Sequence, residues 1–483
     1  MSSAVTAPCD AGVLAAATPH QTTHASALLA ATVLGSSVAF IDGSVVNVAL
    51  PAIQQSLAAS AAATQWLINA YLLPMGALIL IGGAMGDRYG RRKIFGIGLG
   101  LFAVASLLCA AAPDMRLLLT ARALQGLGAA LLTPASLAML GAGFSGPARG
   151  RAIGTWAAAG AITGAAGPVI GGWLIDTVGW RSIFLLNLPI ACAAMWLAIR
   201  YVDETRDRSA VAALDWLGGS LATFGLGAIA WALTVMPVRG TDSAMMAVLS
   251  AGCAALIAFV VVEARLGARA MMPLALFASK AFVGVTLLTL FLYAALSGLM
   301  VVLPYLLIRI GHYPATAAGA ALLPIPIAIG LASRLVGQLA ERSGPRLPLT
   351  VGPLIVAAGF VLMVRVVSDD VAYWSTIFPA LVLIACGMAA SVAPLTATVM
   401  AAVDVDHVGA ASGVNNAIAR VGALLATALV GVVLVSDATP DIFVAQFRIA
   451  AWVGAALAAA AGASAFTLLA NASVPASKKR GAQ

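Results

Sequence analysis

Apolar runs of about 20 residues recur along the whole chain, and each is long enough to cross a hydrocarbon core of roughly 30 Å as a helix. In lipid every backbone N–H and C=O must be satisfied inside its own segment or by closing a barrel, which leaves only helices and closed barrels as spanning structures. The runs are continuous, rich in Leu, Ala and Gly, and do not alternate, so they select helix. Hydrophobic residues make up 62% of the chain, charged residues 9%, and mean hydropathy is +1.02. A soluble domain carries roughly 25% charged residues; this chain has too few to build a soluble surface.

Spans are expected near 26–50, 64–85, 94–112, 117–140, 152–175, 182–199, 216–236, 244–262, 281–308, 316–340, 347–364, 372–400, 409–435 and 449–470, an all-α polytopic membrane protein of fourteen transmembrane helices. Met1 to Ala25 holds no Lys or Arg and no compact apolar core, so a cytoplasmic tail is expected there rather than a signal peptide. The net charge of +8 does not form a nucleic-acid face, because the bases lie in short loops between spans. With both termini inside, seventeen bases fall on the cytoplasmic side and six on the other, the bias expected of an integral plasma-membrane protein. The five cysteines are scattered, four of them within apolar runs, and suggest neither disulfides nor a metal site.

The chain also repeats itself. Residues 83–92, Gly-Ala-Met-Gly-Asp-Arg-Tyr-Gly-Arg-Arg, return at 337–346 as Gly-Gln-Leu-Ala-Glu-Arg-Ser-Gly-Pro-Arg, each after an apolar span and each on the predicted cytoplasmic side. The Ala-Ala and Pro at 129, 130 and 134 are echoed at 389, 390 and 394. Two six-helix halves follow, with two helices between them. The expected organisation is a tail at 1–25, an N-terminal bundle at 26–201, an inserted pair with flanking loops at 202–280, a C-terminal bundle at 281–471 and a basic tail at 472–483. Parallel repeats of this kind serve secondary transport, with the substrate site near the midplane where the halves meet.

The segment Gly83-x-Met85-Gly86-Asp87-Arg88-Tyr89-Gly90-Arg91-Arg92 resembles the signature loop of the major facilitator superfamily. Ile41-Asp42-Gly43-Ser44-Val45-Val46-Asn47-Val48-Ala49-Leu50-Pro51 resembles the first-helix motif of its fourteen-helix drug:proton antiporter branch, family 2. Arg122-Ala-Leu-Gln125-Gly126 is similar to the motif in which the family keeps a proton-handling arginine. Gly154, Gly167, Pro168, Gly171 and Gly172 resemble its antiporter motif, with Thr163 standing where the pattern has another glycine. The resemblance implies the major facilitator fold and proton-coupled export of drugs or other small amphipathic compounds by a monomer. It implies no bound cofactor; a proton gradient supplies the drive. A specific metabolite carrier of the same fold is the alternative reading.

Four ionisable residues lie well inside the spans: Asp42, Arg122, Arg334 and Arg420. A charge at the centre of a membrane helix costs about 2.5–3.5 kcal/mol on insertion scales, so each needs a partner, a wet cavity or a task. Counting residues from the outer ends of their spans at about 1.5 Å each, Asp42 and Arg122 differ in depth by roughly 5 Å and can pair. A pair that is made and broken by access changes suits proton coupling; a permanent structural ion pair is the other reading. Arg420, near the midplane, either meets substrate or braces helices, and the resemblance also implies an arginine there. Arg334 is close enough to a helix end to snorkel. Asn47, Gln65, Asn69, Tyr71 and Gln125 are candidates for the cavity wall, or else helix-to-helix glue, with Asn415 and Asn416 weaker candidates. Asp87 and its echo Glu341, beside Arg88 and Arg342, belong to loops which in the family stabilise one access state, together with Gly83, Gly90, Arg91 and Arg92. No phosphate-binding Gly-x-x-x-x-Gly-Lys-Ser/Thr loop and no His-Glu-x-x-His set occurs, which excludes ATP-driven transport and argues against an intramembrane enzyme.

Overall fold

The computed structural model describes residues 24–206, 215–240, 242–267, 270, 272–367, 371–403, 408–430 and 439–469. The expected tails therefore lie outside the described residues, save for 24–25. The same holds for the side chains of Arg334, Glu341 and Arg342.

The described residues form helices and no strand. In chain order they are α1 (Ala25–Ser56), α2 (Ala61–Tyr89), α3 (Arg91–Ala111), α4 (Met115–Gly143), α5 (Gly146–Thr177), α6 (Ser182–Tyr201), α7 (Trp216–Arg239) and α8 (Ser243–Leu266). After a short 3-10 turn, Leu274–Ala278, come α9 (Lys280–Ile310), α10 (Ala315–Ala320 and Pro324–Ser343, parted by a turn) and α11 (Arg346–Met363). The last three are α12 (Tyr373–Ala401), α13 (Val408–Leu429) and α14 (Pro440–Leu468). Thirteen helices among the described residues are long and apolar enough to cross a membrane. The helix outside that set is α13, which has 22 residues but carries Asn415, Asn416 and Arg420 and is correspondingly less apolar.

Local chemistry sets the ends. Ser60, Asp114, Asp215, Asp242 and Ser279 each accept a hydrogen bond from a first-turn N–H of the helix they precede, satisfying donors that have no partner within the helix. Gly90 separates α2 from α3 at φ +114°, a conformation that excludes other side chains, and a Cβ there would stand 2.7 Å from the Glu204 carboxylate. Pro304 near the end of α9 precedes a π turn at Leu306–Ile310.

Helices α1 to α6 pack on one another, most extensively α2 and α3 on α4 and α5 on α1. Helices α9 to α14 do likewise through α11 on α12 and α14, α9 on α13 and α14, and α10 on α12. The two groups meet along α5 with α10 and along α2 with α13. Helices α7 and α8 pair with each other, and α7 also lies against α2 and α13, on that second seam.

Candidate functional site

Asp42 on α1 has no solvent exposure, and Arg122 on α4 has 1%. Arg122 Nη1 donates to Asp42 Oδ2, and the two form a salt bridge. Nη1 also donates to Gln125 Oε1 at 2.8 Å, Nε donates to the Leu67 carbonyl at 3.0 Å, and the guanidinium lies 4.5 Å from the Tyr71 ring centroid. Asp42 Oδ1 accepts from Gln125 Nε2 at 3.1 Å and from Asn187 Nδ2 at 3.2 Å. Gln125 and Asn187 both donate to Ser106 Oγ, at 2.8 and 3.3 Å, and Cys109 Sγ donates to Gln125 Oε1 at 3.3 Å. Five helices of the first group thus supply one buried network. Removing either ionic partner leaves an uncompensated buried charge, which in general costs about 3–5 kcal/mol.

The Asp42–Arg122 pair matches the depths counted along the sequence. Asn187, which reaches the carboxylate from α6, and Ser106 of α3, which accepts from Asn187 and Gln125, have no motif to mark them. Nor has Glu263 of α8, fully buried, whose Oε2 accepts from the Met272 N–H at 2.6 Å.

In front of this network a cavity of about 290 Å³ lies between the two helix groups. It is lined from one side by Ser44, Asn47, Tyr71, Arg122 and Pro168, and from the other by Ser297, Met300, Ile325 and Arg420. Three other proposed wall residues do not face it. Gln125 is in the Asp42 network. Gln65 Nε2 donates to the carbonyls of Thr427 and Ala428, and Asn69 Oδ1 accepts from Thr427 Oγ1 at 2.5 Å. Both are fully buried and tie α2 to α13. Of the two weaker candidates, Asn415 accepts from Thr289 Oγ1 at 2.7 Å and Asn416 donates to the Ser412 carbonyl at 3.0 Å.

Hydrogen bonds across the other seam, between α5 and α10, gather at one end. Asp176, at the end of α5, accepts from Ala315 N at 3.1 Å, Thr316 N at 2.8 Å and Thr316 Oγ1 at 2.6 Å, capping α10 across the seam. Beside it a Cβ on Gly172 would stand 2.4 Å from the Ala315 carbonyl oxygen, and Tyr305 donates to Gln54 Oε1 at 2.8 Å. These contacts close the cavity at the Asp176 end, and at the other end a Cβ on Gly150 or Gly154 of α5, or on Gly330 of α10, would meet no neighbour within 4 Å.

The model of the Major Facilitator Superfamily matches residues 32–427. The chain belongs to the Major Facilitator Superfamily. Members of this family are membrane transporters, not enzymes. The chain is 35% identical over 413 residues to the Multidrug resistance protein Stp of Mycobacterium tuberculosis, covering 84% of this chain and 75% of the relative. It is 36% identical over 396 residues to the Puromycin resistance protein pur8 of Streptomyces alboniger, covering 81% and 78%. Among solved structures, a bacterial homologue of the human lysosomal transporter Spinster, in an inward-facing and unoccupied conformation, superposes with a TM-score of 0.65 at 18% identity. That match covers 92% of this chain and 96% of the other, and shows a shared fold.

The superfamily signature loop spans the turn from α2 to α3. Asp87 pairs with Arg91 at 2.8 Å, one turn on, and Arg88 stands over the Tyr89 ring at 5.5 Å. Arg92 donates to the Val202 carbonyl at 2.9 Å and lies 3.9 Å from Glu204, which accepts from the N–H groups of Arg92 and Lys93. All of these bonds stay within the first helix group. A Cβ on Gly83 would lie 3.6 Å from Pro134 Cβ, an ordinary contact distance. In the antiporter motif, a Cβ on Gly167 would meet Ser44 Oγ at 2.3 Å and one on Gly171 would meet Val45 Cγ2 at 1.9 Å, so both press α5 onto α1. Pro168 gives its carbonyl side to the other group, where Gly319 approaches it. Thr163 donates to the Ala159 carbonyl at 2.8 Å, so its hydroxyl is satisfied within α5.

Proposed function

We propose that the protein is a proton-coupled secondary transporter that exports drugs or other small amphipathic compounds across the plasma membrane by alternating access. The observation that carries this reading is the buried Asp42–Arg122 network behind the wall of a cavity sealed at one end. The printed names of the relatives, a multidrug resistance protein and a puromycin resistance protein, support drug export as the task. Asp42 carries the coupling proton and Arg122 governs its release, because a guanidinium that approaches or leaves a carboxylate changes its proton affinity. Asn47, Tyr71 and Arg420 contact substrate.

On this reading α13 is the fourteenth span. The chain divides into the bundles 26–201 and 281–471 with the inserted pair at 202–280, and both termini are cytoplasmic. The Asp176 end then faces outward and the open end faces the cytoplasm, which makes this an inward-open state. The signature loop, with Asp87, Arg88, Gly90, Arg91, Arg92 and its echo at Glu341 and Arg342, stabilises the alternate state when the cytoplasmic ends close. Gly172 of α5, close against Ala315, forms part of the outer seal. The protein works as a monomer in the bilayer with no cofactor, driven by the proton gradient.

Everted vesicles energised to an acid interior test the proposal. Adding a transported drug should release luminal protons, read as dequenching of an acridine dye, and vesicles lacking the protein should not respond. Absence of dequenching across a broad drug panel refutes proton-coupled drug export.

A further inference from the structure

What a transport cavity can hold is set by the charges on its wall. Among the described residues two charged ones line this cavity, Arg122 and Arg420. The charge of Arg122 is matched by Asp42. Asp42 itself is out of reach: its carboxylate has no solvent exposure and is occupied by Arg122, Gln125 and Asn187.

Arg420 is different. Its Cβ is packed against Gly76, while its guanidinium has no hydrogen bond and no carboxylate partner among the described residues. The titratable groups electrostatically coupled to it are the phenols of Tyr71 on α2 and Tyr293 on α9, neither of which supplies a counter-charge. Asn47 and Ser297, on opposite walls, likewise have amide and hydroxyl donors unspent among the described residues. Among the described residues no carboxylate lines the cavity. The rest of the wall is chiefly apolar, with Val46, Ile68, Leu72, Met300, Val301 and Ile325.

A guanidinium offers five N–H donors in a planar fork that fits an oxyanion with two oxygens, and no acceptor. In a chamber with apolar walls an unmatched cation is costly, and an anion entering beside it offsets that cost. A cationic drug would meet the same chamber with no acid to receive it and a like charge to repel it.

We propose that Arg420 is the anchor for an anionic head group, so that the cavity accepts amphipathic monoanions, carboxylates, sulfonates or phenolates, in preference to cations. This rests on reading the cavity as the transport site, as above. The apolar body of the substrate lies along α1, α9 and α10, and its oxyanion meets the guanidinium with Asn47 and Ser297 as further donors.

Equilibrium binding to the purified full-length protein in phosphatidylcholine nanodiscs tests it in mildly acidic buffer, using two rigid fluorescent probes of opposite charge, fluorescein, there chiefly the monoanion, and ethidium as the cation. Wild type should bind fluorescein about tenfold or more tightly than ethidium, a ratio equivalent to ~1.4 kcal/mol. Arg420→Gln should weaken fluorescein by about tenfold or more and, by removing a like charge, leave ethidium binding as tight or tighter. Arg420→Lys, which keeps the charge but not the fork, should fall between. Ser297→Asp keeps Arg420 in place and adds an acid from α9, so it should turn the preference toward ethidium even where Arg420→Gln fails to fold. Stronger binding of ethidium than of fluorescein by wild type, absence of fluorescein binding, equal losses of both probes in Arg420→Gln, or no reversal in Ser297→Asp overturns the proposal. Proton release from everted vesicles is a separate readout. Its persistence alongside a failed anion preference leaves drug export standing, and its absence alongside a confirmed preference makes the protein an anion carrier of another kind.

Discussion

Removing the Asp176 carboxylate should unseal the end of the molecule that it fastens. Asp176→Ala deletes three hydrogen bonds, at 2.6, 2.8 and 3.1 Å, between α5 and the first turn of α10. Charge-assisted bonds contribute about 1.5–3 kcal/mol each when shielded, but the Thr316 pair is solvent-exposed. The closer guide is the loss of a helix cap, about 1 kcal/mol with a range of 0.5–2. The clasp exists only while the halves are together at this end, so its loss weakens that state alone. A cost of ~1–2 kcal/mol shifts the equilibrium between access states about 5- to 30-fold toward opening at the Asp176 end. Spin labels at Val178 and Trp374, 71% and 75% exposed on opposite sides of the seam, would report it. Cys9, Cys192, Cys253 and Cys386 would first be replaced by serine. Pulsed dipolar spectroscopy should show a longer distance component growing in Asp176→Ala, with Asp176→Asn between. Asp114→Ala removes a cap of similar kind wholly inside the first helix group and should leave the distances unchanged. An unchanged distribution in Asp176→Ala, or the same shift in Asp114→Ala, refutes the reasoning.

Gly172→Ala should shift the same distance distribution in the same direction, because its Cβ would stand 2.4 Å from the Ala315 carbonyl oxygen and backbone cannot yield as a flexible side chain does. Gly154→Ala, with nothing within 4 Å, should leave the melting temperature of the purified protein unchanged. Asn187→Leu leaves Asp42 Oδ1 with Gln125 alone; losing a donor to a buried charge should cost about 1–3 kcal/mol, read as a lower melting temperature, together with weaker proton release from everted vesicles. Asp87→Ala breaks a partly exposed i,i+4 pair with Arg91 and should cost no more than about 0.5 kcal/mol of stability, while transport in vesicles falls by more than that loss explains.

The spans were legible because the apolar runs needed no partner to be recognised, and the pairing of Asp42 with Arg122 because helix rise converts sequence position into depth. The facing of each helix was not. In α2 nearly every position is apolar or small, so no polar stripe distinguishes the face toward the cavity from the face toward α13; the sequence leaves Gln65 and Asn69 open between cavity wall and helix-to-helix glue, and the structure puts them in the seam. Asn187 lies 145 residues from Asp42 and meets it only through packing of α6 on α1. Asp176 and Glu263 stand near helix ends, where a carboxylate reads as an interfacial charge. Their work, capping α10 and holding the loop before α9, appears only when distant backbone N–H groups arrive. The break in α10 before Pro324 was hidden because the apolar run continues through it.

Asp42 is proposed above to couple proton movement to export. Purified wild type and Asp42→Asn, reconstituted in proteoliposomes with an acid lumen, would be compared for gradient-driven accumulation and for exchange of the same drug at equal pH, using the drug that gives the largest vesicle response. Asp42→Asn should keep exchange, which shows that it is folded and binds substrate, and lose accumulation. Accumulation by Asp42→Asn at the wild-type level would contradict the coupling role.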